Sequence, residues 1–82
     1  MKLMKAGEIW RIADKSISTA FFDSPNYNAI LTKFMYWREP FLLLQDATIY
    51  SKEYEKFRIL SLNDGVFGYL MFKVMNHCEK IS

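Results

Sequence analysis

Residues 57–72 read FRILSLNDGVFGYLMF, and this stretch predicts a β-hairpin. Two apolar runs flank the tripeptide Asn-Asp-Gly at residues 63–65. An Asp-Gly pair between such runs favours a tight turn, because glycine adopts a positive φ without steric cost and aspartate tolerates it. A two-residue loop at residues 64–65 would place Leu60 opposite Tyr69 on the neighbouring strand.

Both faces of the predicted hairpin are apolar. Alternation along the strands gives one face Phe57, Ile59, Ser61, Val66, Gly68, Leu70 and Phe72. The other face carries Leu60, Leu62, Phe67, Tyr69 and Met71. A sheet with one wet face alternates cleanly between apolar and polar residues, so we expect the first face to line the core and the second to be a candidate interface, covered by the chain itself or by another subunit. Gly68 inside a strand indicates a bulge or a close backbone approach.

The segments on either side of the hairpin predict further strands. Residues 6–13, AGEIWRIA, predict a first strand with Ile9 and Arg11 on one face and Trp10 and Ile12 on the other. The remaining predictions are a loop or short irregular strand at 14–23, a strand at 40–45, a polar connector at 51–55 and a short closing strand at 78–81.

Residues 24–37 give the one helical pattern of the chain. Ser24 is a good N-cap residue, and Pro25 would occupy the first helical position. One apolar stripe at helical spacing comprises Tyr27, Ile30, Leu31, Phe34 and Met35. Because Glu39 precedes a proline, the helix should end before it. The alternative is a strand over residues 34–37.

The predicted order of strand, long loop, strand, polar connector, hairpin and short strand resembles an SH3-like barrel. We therefore predict a mainly β (α+β) domain spanning residues 1–82, with about five barrel strands and a helical or irregular insertion at residues 14–39. The ALYDY-type segment and the tryptophan with which signalling SH3 domains bind polyproline are missing from the sequence. The GEIWRI opening and the NDGVFGYL hairpin also resemble small SH3-like proteins of tailed phages, which implies an accessory protein acting on a host factor.

The segments AGEIWRI and REPFLLLQD are also similar to the start of MazF/PemK-type toxins, which are SH3-like mRNA endoribonucleases. The resemblance implies that the family's arginine corresponds to Arg38. Its hydroxyl partner would correspond to Ser61, or less closely to Thr48. RNA binding or cleavage is therefore the alternative function, with Trp37 stacking on a base and phosphates contacted by Arg38, Lys33, Arg11 and Arg58.

Composition narrows the class of protein. The net charge is +2, and eleven basic residues are interleaved with nine acidic ones, so no dedicated nucleic-acid arm is expected. Cys78 is the only cysteine, which favours a buried thiol in a reducing, cytoplasmic compartment. The N-terminal MKLMKAGEIW has no apolar core of a signal peptide, and no apolar run approaches a membrane span, so we expect no membrane association.

The residues that could carry chemistry are few. His77 is the only histidine and lies beside Cys78. Neighbouring residues on a strand point to opposite faces, so these two side chains are not expected to share a proton. One histidine and one cysteine are also too few for a structural zinc site. We therefore expect no cofactor, no metal and no enzymatic activity.

Aromatic side chains are the best candidates for binding, since they make up 17% of the residues. Tryptophan, tyrosine and arginine dominate binding hot spots. The predicted binding residues are Tyr36, Trp37, Arg38, Tyr50 and Tyr54. The competing interpretation of Trp37 is that it caps one end of the barrel. The sequence thus favours a small binding module with a protein partner, of which a homodimer is one form.

Overall fold

Seven strands form one antiparallel sheet in the computed structural model, which describes residues 3–48 and 50–82. In chain order they are β1 (Ile9–Ile12), β2 (Thr19–Phe22), β3 (Leu31–Met35), β4 (Pro40–Leu43), β5 (Lys56–Ser61), β6 (Val66–Met71) and β7 (Cys78–Lys80). A 3-10 helix at Phe72–His77 precedes β7. The order across the sheet is β3-β2-β6-β5-β4-β1-β7, so β3 and β7 are its edges. The mainly β prediction is confirmed, and the sheet is not closed into a barrel.

The predicted hairpin is present, with a register that differs by two residues. Ser61 pairs with Val66, and Leu60 pairs with Phe67 rather than with Tyr69, so the loop has four residues instead of two. The Leu62 amide donates to the Pro40 carbonyl oxygen at 3.1 Å, which commits Leu62 to β4 instead of β6. Because the shift is an even number of residues, every side chain keeps its predicted face.

The core lies on the inner face of the sheet. Burial alternates along β1 and β4, and the predicted two faces of β1 are confirmed, with Trp10 and Ile12 buried and Ile9 and Arg11 half-buried. The inner-face core comprises Trp10, Ile12, Phe21, Met35, Phe41, Leu43, Phe57, Ile59, Leu70 and Cys78, and the 3-10 helix adds Phe72, Val74 and Met75. The opposite side of the sheet, which we term the outer face, carries Ile9, Arg11, Ala20, Phe22, Leu42, Lys56, Arg58, Leu60, Phe67, Tyr69 and Met71.

Gly68 marks a close approach between strands, as the sequence predicted. A Cβ atom at Gly68 would lie 2.2 Å from the Phe21 ring and 2.8 Å from the Phe22 carbonyl oxygen. β2 therefore lies directly against β6 at this point, where Phe22 pairs with Tyr69. Only a residue without a side chain fits between the two strands.

The helix prediction for residues 24–37 is wrong. The segment contains β3, which pairs with β2 so that the insertion is a β-hairpin. The Asp23 carboxylate accepts a hydrogen bond from the Ile30 amide at 2.8 Å, and this contact closes the turn. Tyr27 and Ile30, which would have formed the helical stripe, are instead exposed. Pairing with β2 therefore overrides the local helical pattern. β2 also lies inside the stretch at 14–23, and the strand alternative holds only at residues 34–35.

The remaining elements agree with the sequence. The polar connector at 51–55 is irregular, and β7 occupies the predicted closing strand. The 3-10 helix before β7 was not predicted. No helix within residues 3–48 and 50–82 is long and apolar enough to cross a membrane.

Candidate functional site

The predicted binding residues Tyr36, Trp37 and Arg38 lie in the turn that joins β3 to β4. The Glu39 amide donates to the Tyr36 carbonyl oxygen at 3.1 Å, and Arg38 has a φ of 72°. A positive φ at the third residue of such a turn is the geometry of a type II turn, which normally uses glycine. The Arg38 amide donates to the Ile12 carbonyl oxygen at 2.8 Å, so the turn is fixed to the end of β1.

Trp37 has two cationic side chains next to its ring. Its side chain is 39% exposed, and both the Lys15 ammonium and the Arg38 guanidinium lie 4.6 Å from its ring centroid. Cations at this distance are attracted to the electron-rich face of an indole. The ring is therefore partly exposed, with two cationic side chains next to it.

Tyr50 and Tyr54 belong to a different part of the surface. Both are exposed, and together with Lys52 and Glu55 they border a shallow depression. The Lys73 ammonium lies 5.2 Å from the centroid of the Tyr54 ring. Backbone hydrogen bonds tie this connector to the 3-10 helix, because the Lys73 amide donates to the Glu53 carbonyl oxygen at 2.9 Å.

A groove of about 520 Å³ lies between the β2–β3 hairpin, the connector and the 3-10 helix. Its apolar lining consists of Ile17, Ala20, Phe34, Met71 and Val74. Its polar lining consists of Ser18, Thr19, Glu53, Lys73 and His77. None of the five predicted binding residues lines the groove. The helical pattern predicts Phe34 in an apolar stripe, and only the strand alternative over residues 34–37 places it on a sheet, where it lines the groove.

A second depression, of about 560 Å³, has Ala13, Asp14 and Lys15 in its lining and shares His77 with the groove. His77 lines both depressions, and Lys15 lines the second while its ammonium lies over the Trp37 ring. We term the groove together with His77, Lys15 and Trp37 the groove surface. Tyr54 adjoins the groove through Lys73, whose ammonium lies over the tyrosine ring.

His77 pairs with a carboxylate that the sequence analysis did not single out. Its Nδ1 lies 3.2 Å from Asp14 Oδ2, and the Ser16 hydroxyl donates to Asp14 Oδ1 at 2.6 Å. The hydrogen bonds from Ser16, and then the contact with His77, hold the pKa of the Asp14 carboxyl below its ordinary value. Because the hydroxyl is bonded to the carboxylate and not to the imidazole, Ser16 is not arranged as a nucleophile with a base. Cys78 is buried, as predicted, whereas His77 is exposed at the end of the 3-10 helix and not on a strand.

The residues of the nuclease-like hypothesis lie in different surroundings. Ser61 is fully buried, and its hydroxyl accepts a hydrogen bond from the Lys33 ammonium at 3.2 Å. The same ammonium donates to Asp64 Oδ2 at 2.6 Å. This bond, and next the Ser61 hydroxyl, lower the pKa of the Asp64 carboxyl. Ser61 is therefore part of a structural contact, whereas Arg38 lies over Trp37 in an exposed turn and Thr48 is exposed in a loop.

The predicted interface on the outer face is partly open. Phe67 and Leu62 are exposed, and the half-buried members are Leu60, Tyr69 and Met71. The segment 24–37, which could have covered these side chains, instead extends the sheet beside them as β3. Met71 is the one member of the set that also lines the groove.

Comparison with protein-family models, with curated proteins and with solved structures finds no match. In the part of the chain that the structure describes, no group of three or more His, Cys, Asp or Glu side chains is placed to hold a metal ion.

Proposed function

We propose that this chain is a non-catalytic binding module that holds a segment of a protein partner in the groove surface. The observation that carries the proposal is the groove itself, in which an exposed phenylalanine of a strand faces a rim of both charges. Phe34 is 45% exposed and lies opposite Ala20 in the β2–β3 hairpin. A groove of about 520 Å³ lies within the range of well-formed ligand sites.

The strand arrangement supports an SH3-like architecture for this module. β1 lies between β4 and β7, and β4, β5 and β6 follow one another across the sheet. The β2–β3 hairpin is inserted in the first long loop, and the 3-10 helix leads into the last strand. We propose that β1, β4, β5, β6 and β7 form a partly open SH3-like barrel, with the β2–β3 hairpin as an insertion at one end.

The groove surface offers both anchoring and orientation. Phe34, Ile17 and Val74 would bury an apolar side chain of the partner, and burial of such anchors accounts for most of the affinity at protein interfaces. Glu53, Lys73 and His77 lie around them and would pair with polar groups of the partner. Trp37 lies at the far end of the same surface, where a second anchor would increase specificity.

A selection from a random peptide library on the immobilised protein tests this function. We expect enriched peptides with an apolar residue next to charged ones. Their addition to ¹⁵N-labelled protein should shift the amide resonances of Ile17, Phe34, Val74 and His77 most. Peptides whose shifts map elsewhere, or a library that yields no specific binder, would contradict the groove proposal.

Three further expectations belong to the same proposal. The module would act in the reducing cytoplasm, in agreement with one buried cysteine, and its sequence resemblance favours a phage accessory protein that binds a host factor. If the partner is a second copy of the chain, the two copies would form a homodimer through the outer face. Light scattering measures the molar mass and separates a homodimer from a monomer. A monomer at micromolar concentration would mean that the partner is a different protein.

RNA cleavage in the MazF/PemK-like manner has less support, because the Ser61 hydroxyl is buried and bonded to Lys33. We expect a structured mRNA to stay intact after prolonged incubation with the protein. Specific cuts that disappear in the Arg38→Ala variant would replace the binding-module proposal by a nuclease.

A further inference from the structure

We propose that the outer face of the sheet binds single-stranded nucleic acid, with Phe22, Tyr69 and Phe67 as stacking rings and Arg58 and Lys56 as phosphate contacts. This site lies beside the groove and does not depend on the function proposed for it. It also differs from the nucleic-acid contacts predicted from sequence, of which only Arg58 lies in it.

The three rings are neighbours on the sheet. Phe22 of β2 pairs with Tyr69 of β6, and paired side chains on adjacent strands stand about 5 Å apart. Phe67 lies two residues before Tyr69 on the same face of the same strand, a separation of about 7 Å. Phe67 is 56% exposed, whereas Phe22 and Tyr69 are half-buried. Aromatic rings on an open sheet are a sequence-tolerant platform for unpaired bases.

Two cations accompany these rings. Arg58 pairs with Tyr69 across β5 and β6, and its guanidinium lies 5.3 Å from the centroid of the Phe67 ring. The Lys56 ammonium lies 4.9 Å from the centroid of the Phe22 ring. Each cation is thus next to a stacking ring, where it can reach the phosphate of a stacked nucleotide.

The charge of the sheet favours an anionic ligand. Strands β1 to β6 contain Arg11, Lys33, Lys56 and Arg58 and no Asp or Glu. Two of these cations are neutralised, since Arg11 pairs with Glu79 and Lys33 with Asp64. Among the described residues, Lys56 and Arg58 have no carboxylate within ion-pair distance. The exposed rings therefore coincide with the part of the sheet whose positive charge is not compensated.

A second copy of the chain is a poorer occupant of this face. A two-fold contact places the same patch of both subunits in one interface. Arg58 and Lys56 would then face a patch that carries the same two cations and no carboxylate, and like charges in an interface oppose association. A polyanion with bases to stack satisfies both the charge and the rings.

Fluorescence anisotropy with labelled oligothymidylate of about 15 nucleotides tests the proposal. At about 50 mM salt we expect saturable binding whose affinity falls steeply as salt increases, because counterions are released from the phosphates. Phe67→Ala should weaken binding about tenfold through the loss of one stack. Arg58→Gln should weaken it less and reduce the salt dependence.

Matched variants separate this face from general surface effects. Ile81→Ala removes an apolar side chain of similar exposure, 49%, beyond β7 at the other edge of the sheet. Lys52→Gln removes a cation from the connector. Both should bind like the parent, and circular dichroism should show that all four variants are folded. An equal loss of affinity for oligothymidylate in Ile81→Ala and Phe67→Ala would overturn the proposal.

Two other ligands and the oligomeric state of the protein complete the test. Polyglutamate of the same net charge should bind much more weakly than oligothymidylate, because it has no bases to stack. Duplex DNA of equal length should also bind more weakly, because its bases are already stacked on one another. Preference for polyglutamate would assign the face to an acidic protein, and absence of any oligothymidylate binding at low salt would end the proposal. A parent dimer that Phe67→Ala converts to a monomer would assign the face to self-association instead.

Discussion

Arg38 adopts a backbone conformation that glycine would adopt more easily. With a φ of 72°, its Cβ crowds the following carbonyl oxygen, at a cost of about 1–2 kcal/mol. The turn is kept in this form by the hydrogen bond from the Arg38 amide to Ile12 and by the guanidinium over Trp37. Strained residues are frequent at functional sites, and this one presents the Trp37 ring.

The strain predicts an unusual order of stability between two variants at this position. Arg38→Gly and Arg38→Ala both remove the guanidinium, but only glycine relieves the backbone. We expect the glycine variant to be more stable than the alanine variant by about 1 kcal/mol in urea unfolding. An alanine variant of equal or higher stability would mean that the turn relaxes to a negative φ.

Gly68 is a residue for which space, rather than φ, decides. A methyl group there would lie 2.2 Å from the Phe21 ring, which is fully buried and cannot withdraw. Gly68→Ala should therefore lower the free energy of unfolding by about 1–3 kcal/mol through overpacking. Gly65→Asn is the control, since that position is open and asparagine tolerates its φ of 68°. If both substitutions had the same small effect on the free energy of unfolding, this would contradict the close approach of β2 to β6.

At the scale of elements, Lys33 forms a polar contact that ties the inserted hairpin to the β5–β6 loop. Lys33 of β3 donates to Asp64 in the β5–β6 loop and to the buried Ser61 hydroxyl. This contact of Lys33 also accounts for the four-residue length of the β5–β6 loop. The Asp64 carboxylate is drawn towards Lys33 and the Leu62 amide is bonded to Pro40, so the tight two-residue turn does not form.

The contact between Lys33 and Asp64 makes the stability of the hairpin depend on pH in the acidic range. The lowered pKa of Asp64 means that its charged form stabilises the folded state above its ordinary value of 3.8. That stabilisation is lost as the pH falls through the lower folded value. We expect the thermal midpoint to be constant near neutrality and to fall below about pH 4.

Asp64→Asn should reduce this acid dependence, because the asparagine side chain does not titrate. Asp14 and Glu8, whose pKa values are also lowered, would account for the remainder. The control is Glu53→Gln, which should keep the pH profile of the parent, because the Glu53 carboxylate makes no hydrogen bond or ion pair within the described part of the chain. Identical profiles for Asp64→Asn and the parent would show that the Lys33 contact does not contribute.

The elements also show how far the sequence could predict this fold. The β5–β6 hairpin and the faces of β1 follow from alternation and turn residues, which are local properties. β3 could not be predicted in this way, because residues 24–37 have helical spacing and become a strand only through pairing with β2. The groove was missed for the same reason, since Phe34 reaches it only when its segment is a strand next to Ala20.

On the scale of the whole molecule, charge is divided between strands and loops. The nine acidic residues all lie outside β1 to β6, and only Glu79 lies in a strand at all. The aromatic content of the sequence predicted binding, but not its location. Some rings stabilise the core, some border the groove surface, and others lie on the outer face. The location of each ring depends on the pairing of β2 with β6, because this pairing brings together segments that are far apart in sequence.

The affinity of a selected groove peptide for two variants of one strand tests the binding-module account most directly. Phe34 and Leu31 are both in β3 and both 45% exposed, but only Phe34 lines the groove. Titration calorimetry should show that Phe34→Ala weakens the peptide by at least about tenfold, as for an interface hot spot, while Leu31→Ala leaves the affinity unchanged. Equal affinity for Phe34→Ala and the parent protein would contradict the account.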